Sequence, residues 1–393
     1  MASHNASGPM LGYLYQVRLA LNLLMESDEP DYQISIEKFD DIAFDRNGTP
    51  VQLIQAKHHK TPASLADTSP DLWRTLNVWL DLITKNYSLL DHTDFVIITT
   101  AVVPENSAAA MIQQMNFQKA IKKLKDAAKN SQNQTNTQFY SKFKNIDDSI
   151  LVPLVERMHI ITSASDIDNV ERNIQKKIRW FCKPEHVALA TERIEGWWFR
   201  ECISALSSAD PIITTQSQLQ AKIYEITRQY GDDNLPIDFW DLDEVEEAEL
   251  DPKDRVFLEQ LKLLKYRSKI LRLALQDYYK ASMQRSSWLR RGLVYANELD
   301  TYEHRLTDAW KHAFAEMEDD LEDCGSPTEL EKISAGKKLY SKVMGQDIRI
   351  RQGVDASYVM LGTYHHLANN LRIGWHVDFL EKLKRLLEGD DKQ

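Results

Sequence analysis

Tyr32-Gln-Ile-Ser-Ile-Glu37, Phe39-Asp40-Asp41-Ile-Ala-Phe44, Asn47-Gly48 and Val51-Gln-Leu-Ile-Gln55-Ala-Lys57 follow one another within 26 residues. Apolar and polar residues alternate as in strands, and Asn-Gly is a strong short signal for a two-residue hairpin turn. Side chains two apart on a strand share a face, so Glu37, Phe39 and Asp41 are predicted to point one way. Gln55 and Lys57 share a face on the returning strand. Pairing through the Asn47-Gly48 turn brings these carboxylates and the lysine to one side of the sheet. Such a set suits phosphodiester hydrolysis. Carboxylates hold a divalent cation that polarises the phosphoryl oxygen and acidifies bound water, and a lysine positions that water or offsets developing charge. Gln55 adds a neutral oxygen donor. A solvent-facing hairpin with a surface ion pair has the same spacing. Against it stand Ile34, Ile36, Ile42, Val51 and Ile54, which predict largely buried strands, where a charge requires a partner or a metal. Beyond the second strand, Lys57-His58-His59-Lys60 supplies further cationic capacity where a phosphate would lie.

Outward from this hairpin, Leu14, Val17, Leu21 and Leu24 recur at helical spacing and predict an amphipathic helix over 11–25. A second helix is expected over about 69–84, with Asp71 in its first turn. Phe95-Val-Ile-Ile-Thr-Thr-Ala101 is the β-branched run of a central strand covered on both faces. A long helix is predicted from about Ser107, a strand over 158–161, and helices over 166–181, 185–206 and 216–230. Gly231-Asp-Asp-Asn-Leu-Pro236 and the dense acidic charge after it read as a linker. Further on, Phe257, Leu261, Leu264, Ile270, Leu273 and Leu275 predict helix over 255–280. The pattern continues over 288–314, and a last helix is expected over 377–387. The chain thus divides into an α/β part at 1–230, an acidic linker at 231–252 and an all-α part at 253–393. The last reads as a compact bundle suited to docking rather than chemistry.

A length of 393 residues suffices for two cores, and 43% apolar with 27% charged residues is a globular composition. No apolar run of about 18 residues predicts a membrane span, and the first residues lack the basic-then-apolar pattern of a secretory signal. Cys182, Cys202 and Cys324 are odd in number and never spaced as C-x-x-C. That argues against a disulfide framework or a four-cysteine zinc site, and predicts reduced thiols in a cytoplasmic protein. The net charge of −11 is unevenly spread. Residues 232–254 hold eleven acids against one lysine, and 298–331 hold twelve acids against two bases. Residues 119–183 carry thirteen bases and seven acids, and 253–291 carry eleven bases and three acids. A basic face for phosphate is compatible with the acidic total, and acidic runs suit a basic partner. Lys119-Ala-Ile-Lys-Lys-Leu-Lys125 gives one helix a cationic face that can hold a duplex backbone without reading its sequence.

Other constellations carry less. Cys182-x-x-x-His186 has no second pair at zinc-site spacing and reads as a buried thiol. Trp197-Trp198, Trp288 and Trp310 read as core or interface anchors, and His365, His366 and His376 as imidazoles satisfied inside a helical core. No G-x-x-x-x-G-K-[ST] and no G-x-S-x-G is present, so any nucleotide dependence belongs to a partner.

Gly12-Tyr-Leu-Tyr-Gln16, Glu37-x-x-Asp40-Asp41-Ile42, Gln55-Ala-Lys57-His58 and Phe95-Val-Ile-Ile-Thr-Thr100 together resemble a branch of the PD-(D/E)XK nuclease superfamily. That branch is the double-stranded DNA endonuclease domain of bacterial anti-phage effectors, with the D…QxK pattern of the restriction-type enzymes. The resemblance implies an α/β restriction-endonuclease-like amino-terminal domain. It makes Asp41 the metal-binding aspartate, Gln55 and Lys57 the QxK pair, Glu37 a supporting acid, and Mg²⁺ or Mn²⁺ the cofactor. Asp40 competes with Asp41, which is preferred for sharing the strand face with Glu37, and Gln16 on the first helix completes the site. Tyr278-Tyr-Lys-Ala281, Gln284-Arg-Ser-Ser-Trp288-Leu, Glu298-Leu-Asp-Thr-Tyr302-Glu, Asp308-Ala-Trp310 and Gly362-Thr-Tyr-His-His-Leu-Ala368…Gly374-Trp-His376 resemble the carboxy-terminal domain of effectors in ABC-three-component systems, also called Lamassu. That second resemblance implies a nuclease subunit associated with an SMC-like ABC ATPase and a small accessory subunit. It would be inactive at rest and, once released, form a homo-oligomer that cuts double-stranded DNA. Two other readings stand beside it. One is a non-catalytic scaffold or DNA-binding adaptor whose hairpin acids form only ion pairs. The other is a nuclease triggered by a cyclic-nucleotide messenger.

Overall fold

In the computed structural model, Asn47 and Gly48 both take positive φ (54° and 81°), the hairpin turn that matches the twist of its flanking strands. Around that turn, β1 (Gln33–Ile36), β2 (Ile42–Arg46) and β3 (Thr49–Lys57) form an antiparallel meander, with Ile36 opposite Ile42 and Ile42 opposite Ile54. The structure describes residues 7–59, 62–162, 166–209, 211–241 and 256–383. It divides into two units, Met1–Arg228 and Gln229–Gln393.

In the first unit, α1 (Ser7–Glu26) precedes the meander. The chain then crosses through α2 (Pro70–Lys85) and α3 (Leu89–His92) to β4 (Asp94–Thr99), parallel to β3. It crosses again through α4 (Ala108–Gln113), α5 (Phe117–Asn130), α6 (Thr137–Phe143) and α7 (Asp148–Glu156) to β5 (Met158–Ile161), parallel to β4. After α8 (Ile167–Ile178) and α9 (Val187–Leu206), β6 (Ile212–Thr215) returns to the far edge beside β1, followed by α10 (Gln216–Thr227). The sheet is mixed, in the order β5-β4-β3-β2-β1-β6. One face packs Ala43, Leu53, Phe95 and Ile97 against Trp73, Leu76 and Trp79 of α2 and Leu124 of α5. Trp73 meets Tyr140 and Phe143 edge-on at 4.6 and 5.0 Å, a geometry worth about 0.5–1.5 kcal/mol per pair beyond burial.

Two expectations change here. The long helix from Ser107 is two helices. α4 ends where Met115 takes φ 57°, and Met115 N–H to Ile112 O (2.9 Å) with Asn116 N–H to Met111 O (2.8 Å) close it as a Schellman motif. β6 falls in a stretch that carries no strand prediction. Its four residues are too few to show a period, and its partner β1 lies far off in sequence.

The second unit is helical: α11 (Val256–Leu263), α12 (Ser268–Arg290), α13 (Ala296–Glu322), α14 (Glu329–Met344) and α15 (Ser357–Asn369). The helix expected over 255–280 breaks at Lys265 (φ 57°), and the pattern over 288–314 breaks at Gly292 (φ 65°). Phe257, Trp288, Tyr302, Tyr364 and Trp375 form the buried centre. α12 and α15 approach so closely that a Cβ at Gly362 would lie 2.1 Å from Asp277 O. The start of the expected linker is held down. Trp288 Nε1–H donates to Pro236 O (2.7 Å), Arg351 donates to Asn234 O (3.0 Å) and Asp238 N–H donates to Gln284 Oε1 (2.8 Å). Residues 231–241 are therefore part of the helical unit, and the remainder of the expected linker (242–252) lies outside the described residues. The last predicted helix is present at 379–383, and its continuation also lies outside them. Among the described residues no helix is long and apolar enough to cross a membrane.

Candidate active site

β1 ends at Ile36, and Glu37 takes φ 58°, a backbone setting uncommon outside glycine. Its N–H donates to Asp41 O at 3.2 Å and closes the loop 37–41 before β2 begins. Glu37, Phe39 and Asp41 therefore do not share a strand face, as the alternation predicts, because the chain reverses at those residues. Asp41 reaches the expected place by another route. It stands one step beyond the Ile42–Ile54 pair, opposite Gln55, so the pleat turns it to the Gln55 and Lys57 side. Its Oδ2 accepts the Ala56 N–H at 2.9 Å and lies 3.6 Å from Lys57 Nζ.

Asp40 turns inward. It is 8% exposed, accepting Trp79 Nε1–H at Oδ2 (2.5 Å) and the Asp41 N–H at Oδ1 (3.0 Å). Burial pushes its carboxyl up to about 7, against the pull of the Trp79 bond. The two adjacent aspartates are thus separated, one anchored beneath α2 and one facing the lysine. Glu37 is exposed. Its carboxyl is held above the ordinary range by partial burial, then by the charge of Asp41, while Lys57 pulls it down. Gln55 is buried, its Oε1 3.5 Å from Thr75 Oγ1 of α2, the outer limit of a hydrogen bond. Gln16 of α1 is buried with Oε1 unpartnered, and no hydrogen bond joins it to Asp41, Gln55 or Lys57 among the described residues.

Past Lys57, the His58 ring lies 4.8 Å from that of Tyr15, and His59 Nε2 lies 3.1 Å from Asp71 Oδ2 of α2. Lys60 is outside the described residues. The supporting roles of Trp79 and Thr75 have no sequence signal, since periodicity marks both only as positions on a buried helix face.

The side-chain oxygens of Asp41, Glu37 and Gln55 are the hard donors that suit Mg²⁺ or Mn²⁺. A cation bound there would relieve the like-charge pressure that Asp41 exerts on Glu37. Asp41 Oδ2 is committed to Ala56 and Lys57, which leaves Oδ1 for coordination. On α5, Ile121, Leu124 and Ala128 are buried while Lys119, Lys122, Lys125 and Lys129 are exposed, with Lys125 paired to Asp148 at 2.5 Å.

In the helical unit the imidazoles differ from expectation. His365 Nδ1 and His366 Nε2 have no hydrogen-bond partner, and burial pushes the two rings down to about 3 and about 4, so both are neutral. Glu329, His376 and Asp378 lie within metal-ligand reach of one another. However, Lys382 Nζ is 2.7 Å from Glu329 and Lys332 Nζ 2.9 Å from Asp378, so ammonium groups already neutralise the acids. His376 Nδ1 accepts the Asp378 N–H (3.1 Å), which puts the ring proton on Nε2, 3.2 Å from Glu329. This is an ion network pinning residues 376–382 to α14. Trp198, Trp288 and Trp310 are buried, each donating its indole N–H to a backbone carbonyl.

Residues 257–383, about a third of the chain, match the family model of C-terminal domain 7 of the ABC-three component (ABC-3C) systems. The match supports membership of such a multi-component system, with the part in anti-phage defence that membership implies. No curated protein matches the chain. Among solved structures it is similar to a Moraxella osloensis Cap4 SAVED/CARF-domain containing receptor, at 15% identity and a TM-score of 0.34, over 65% of this chain and 60% of that one. The chain thus spans less than two thirds of that receptor, and a TM-score of this size carries no inference about fold.

Proposed function

We propose that the first unit is a PD-(D/E)XK-type, metal-dependent DNA endonuclease and that the chain is the cutting subunit of an ABC-3C defence complex. The observation that carries this reading is the convergence of Asp41 and Lys57 across β2 and β3, with Gln55 on the same side and Glu37 within electrostatic reach. Mg²⁺ held by Asp41, Glu37 and Gln55 would polarise the scissile phosphoryl group and acidify a water. Lys57, 3.6 Å from Asp41 Oδ2, would orient that water and offset charge building on the phosphoryl oxygens. Asp40, tied to Trp79 and to the Asp41 N–H, fixes the loop that aims Asp41. The lysines of α5 hold the duplex backbone without sequence preference.

An unrestrained nuclease would attack host DNA, so the complex must be inactive at rest. In this proposal the helical unit supplies that restraint by docking to an SMC-like ATPase and a small accessory subunit, and release permits homo-oligomerisation and cutting. The test is plasmid cleavage by the pure chain with Mg²⁺, with EDTA, and with Lys57→Ala. The reading expects nicking or linearisation that EDTA and Lys57→Ala both abolish while the variant stays folded. Cleavage that survives Lys57→Ala, or no cleavage by the released chain with either Mg²⁺ or Mn²⁺, refutes it.

A further inference from the structure

The end of α8 and the turn into α9 bring cations without acidic partners beside rings left in water. Residues 172–184 hold five bases, Arg172, Lys176, Lys177, Arg179 and Lys183, and no acid. On α8, Val170, Ile174 and Ile178 are buried, while Arg172, Lys176 and Arg179 are exposed and share the other side at four- and three-residue spacing. Arg172 donates to Asn169 Oδ1 (3.0 Å) and Lys176 to Asn173 Oδ1 (3.5 Å), and none of the three pairs with an acid among the described residues. The neighbouring acids do not neutralise this stripe. Glu171 lies 3.1 Å from Arg18, and Glu26 lies 2.9 Å from Lys177. Asp168 and Glu185 bracket the stripe without an ion pair among the described residues.

At the end of the stripe Trp180 is 88% exposed and Phe181 44% exposed, and neither ring meets another among the described residues. Tryptophan is highly buried on average. Here the backbone fixes the presentation, with Trp180 N–H donating to Lys177 O (3.2 Å) and Phe181 N–H to Ile178 O (2.8 Å). The helix dipole accounts for cations at this end of α8, but not for two rings in water beside them.

Cations without acids select a polyanion, and the guanidinium forks of Arg172 and Arg179 match phosphate. Seven residues of helix separate those two, about 10 Å. A stacked nucleic-acid strand places about three phosphates in that length, at about 3.4 Å each. The flat faces of Trp180 and Phe181 then stand where unpaired bases can stack. An acidic peptide meets the cations but offers no such faces to the rings, and an anionic bilayer asks for a broader apolar surface than two rings.

We propose that Arg172, Lys176, Arg179, Trp180 and Phe181 form a binding surface for single-stranded DNA, such as a frayed end or a gap. The stripe holds the backbone and the rings stack exposed bases. The surface needs no divalent metal, so it stands or falls apart from the cleavage reading of the first unit.

The experiment uses the full chain in EDTA with a fluorescent 15-nucleotide oligothymidylate, read by anisotropy over a salt series. The chain is expected to bind it, with affinity falling steeply as salt rises. Arg172→Gln/Lys176→Gln/Arg179→Gln should weaken binding at least tenfold and flatten the log–log salt slope by about 2, at about 0.7 per phosphate contact. Trp180→Ala should weaken binding at least fivefold and leave the slope unchanged, because the ring carries no charge. On an abasic strand of the same length Trp180→Ala should bind as the intact chain does. Arg267→Gln/Lys269→Gln/Lys338→Gln, which removes equal charge from the helical unit, should stay within about twofold. No binding, unchanged binding by either variant of the surface, an equal loss in the helical-unit variant, or a Trp180→Ala loss that persists on the abasic strand overturns the proposal. Equal binding of a 15-residue poly-glutamate peptide, or Trp180-dependent capture by phosphatidylserine vesicles, would make this a contact for acidic protein or for membrane and overturn it equally.

Discussion

Asp40→Asn tests the buried half of the acidic loop. The carboxyl is 8% exposed, and burial lifts it from 3.8 to about 7. The folded chain therefore holds this proton more tightly than the unfolded chain. The associated stability is fully present below about pH 4 and is lost as pH rises through about 7. A gap of roughly three pH units, at about 1.36 kcal/mol each, is on the order of 4 kcal/mol. Asparagine has no proton to lose, but it offers one acceptor oxygen where Asp40 serves two donors, the Trp79 indole and the Asp41 N–H. One donor is left facing the amide NH₂, a cost of about 1–3 kcal/mol at any pH. Urea unfolding in EDTA, followed by tryptophan fluorescence at a series of pH values, compares the two chains. The variant should be the less stable near pH 4 and the more stable near pH 8, the difference moving by about 4 kcal/mol in its favour. A difference that moves by less than about 1 kcal/mol would refute the argument that burial, rather than a compensating charge, sets this group's protonation.

Lys57→Ala should alter stability by less than about 1 kcal/mol, since its pair with Asp41 is 3.6 Å long and reached by solvent, so lost cleavage would report chemistry and not unfolding. Gly362→Ala should cost more than about 3 kcal/mol by denaturation, because the new methyl meets the backbone of α12 and cannot be accommodated by a rotamer change. Trp288→Phe, which leaves Pro236 O to the longer Gln284 bond alone, should cost about 1–3 kcal/mol and raise protease sensitivity within 231–241. The imidazole resonances of His365 and His366 should remain in their neutral positions at about pH 5, well above the values to which burial drives them.

The hairpin, its turn and the helical nature of the second unit are legible from local pattern, because alternation, Asn-Gly and 3.6-residue spacing are written in neighbouring residues. The register that opposes Asp41 to Gln55 is not: the turn pairs Arg46 with Thr49, which would set Asp40 against Gln55, and an irregularity between Phe44 and Asp45 shifts the pairing by one residue. Nor is the reversal at 37–41. Its residues alternate as a strand would, and the positive φ falls on Glu37, which advertises no such turn. The breaks at Met115 and Lys265 escape for the same reason, since neither is glycine. The break at Gly292 does carry a glycine signal. The different settings of Asp40 and Asp41 turn on Trp79, 39 residues downstream in sequence from Asp40, whose indole captures the first carboxylate and not the second. Long-range capture of this kind leaves no local trace.

The Ala56 amide bond to Asp41 has a practical consequence. At the end of β2, a carboxylate takes the backbone donor that a neighbouring strand's carbonyl would otherwise accept, so one oxygen both finishes the weave of the sheet and faces the lysine. Substitutions at position 41 that remove the acceptor oxygen are therefore expected to fray the hairpin whatever else they change. The Lys57 ammonium makes no such backbone contact among the described residues, so a substitution at the amine leaves the sheet edge intact where one at the acid does not.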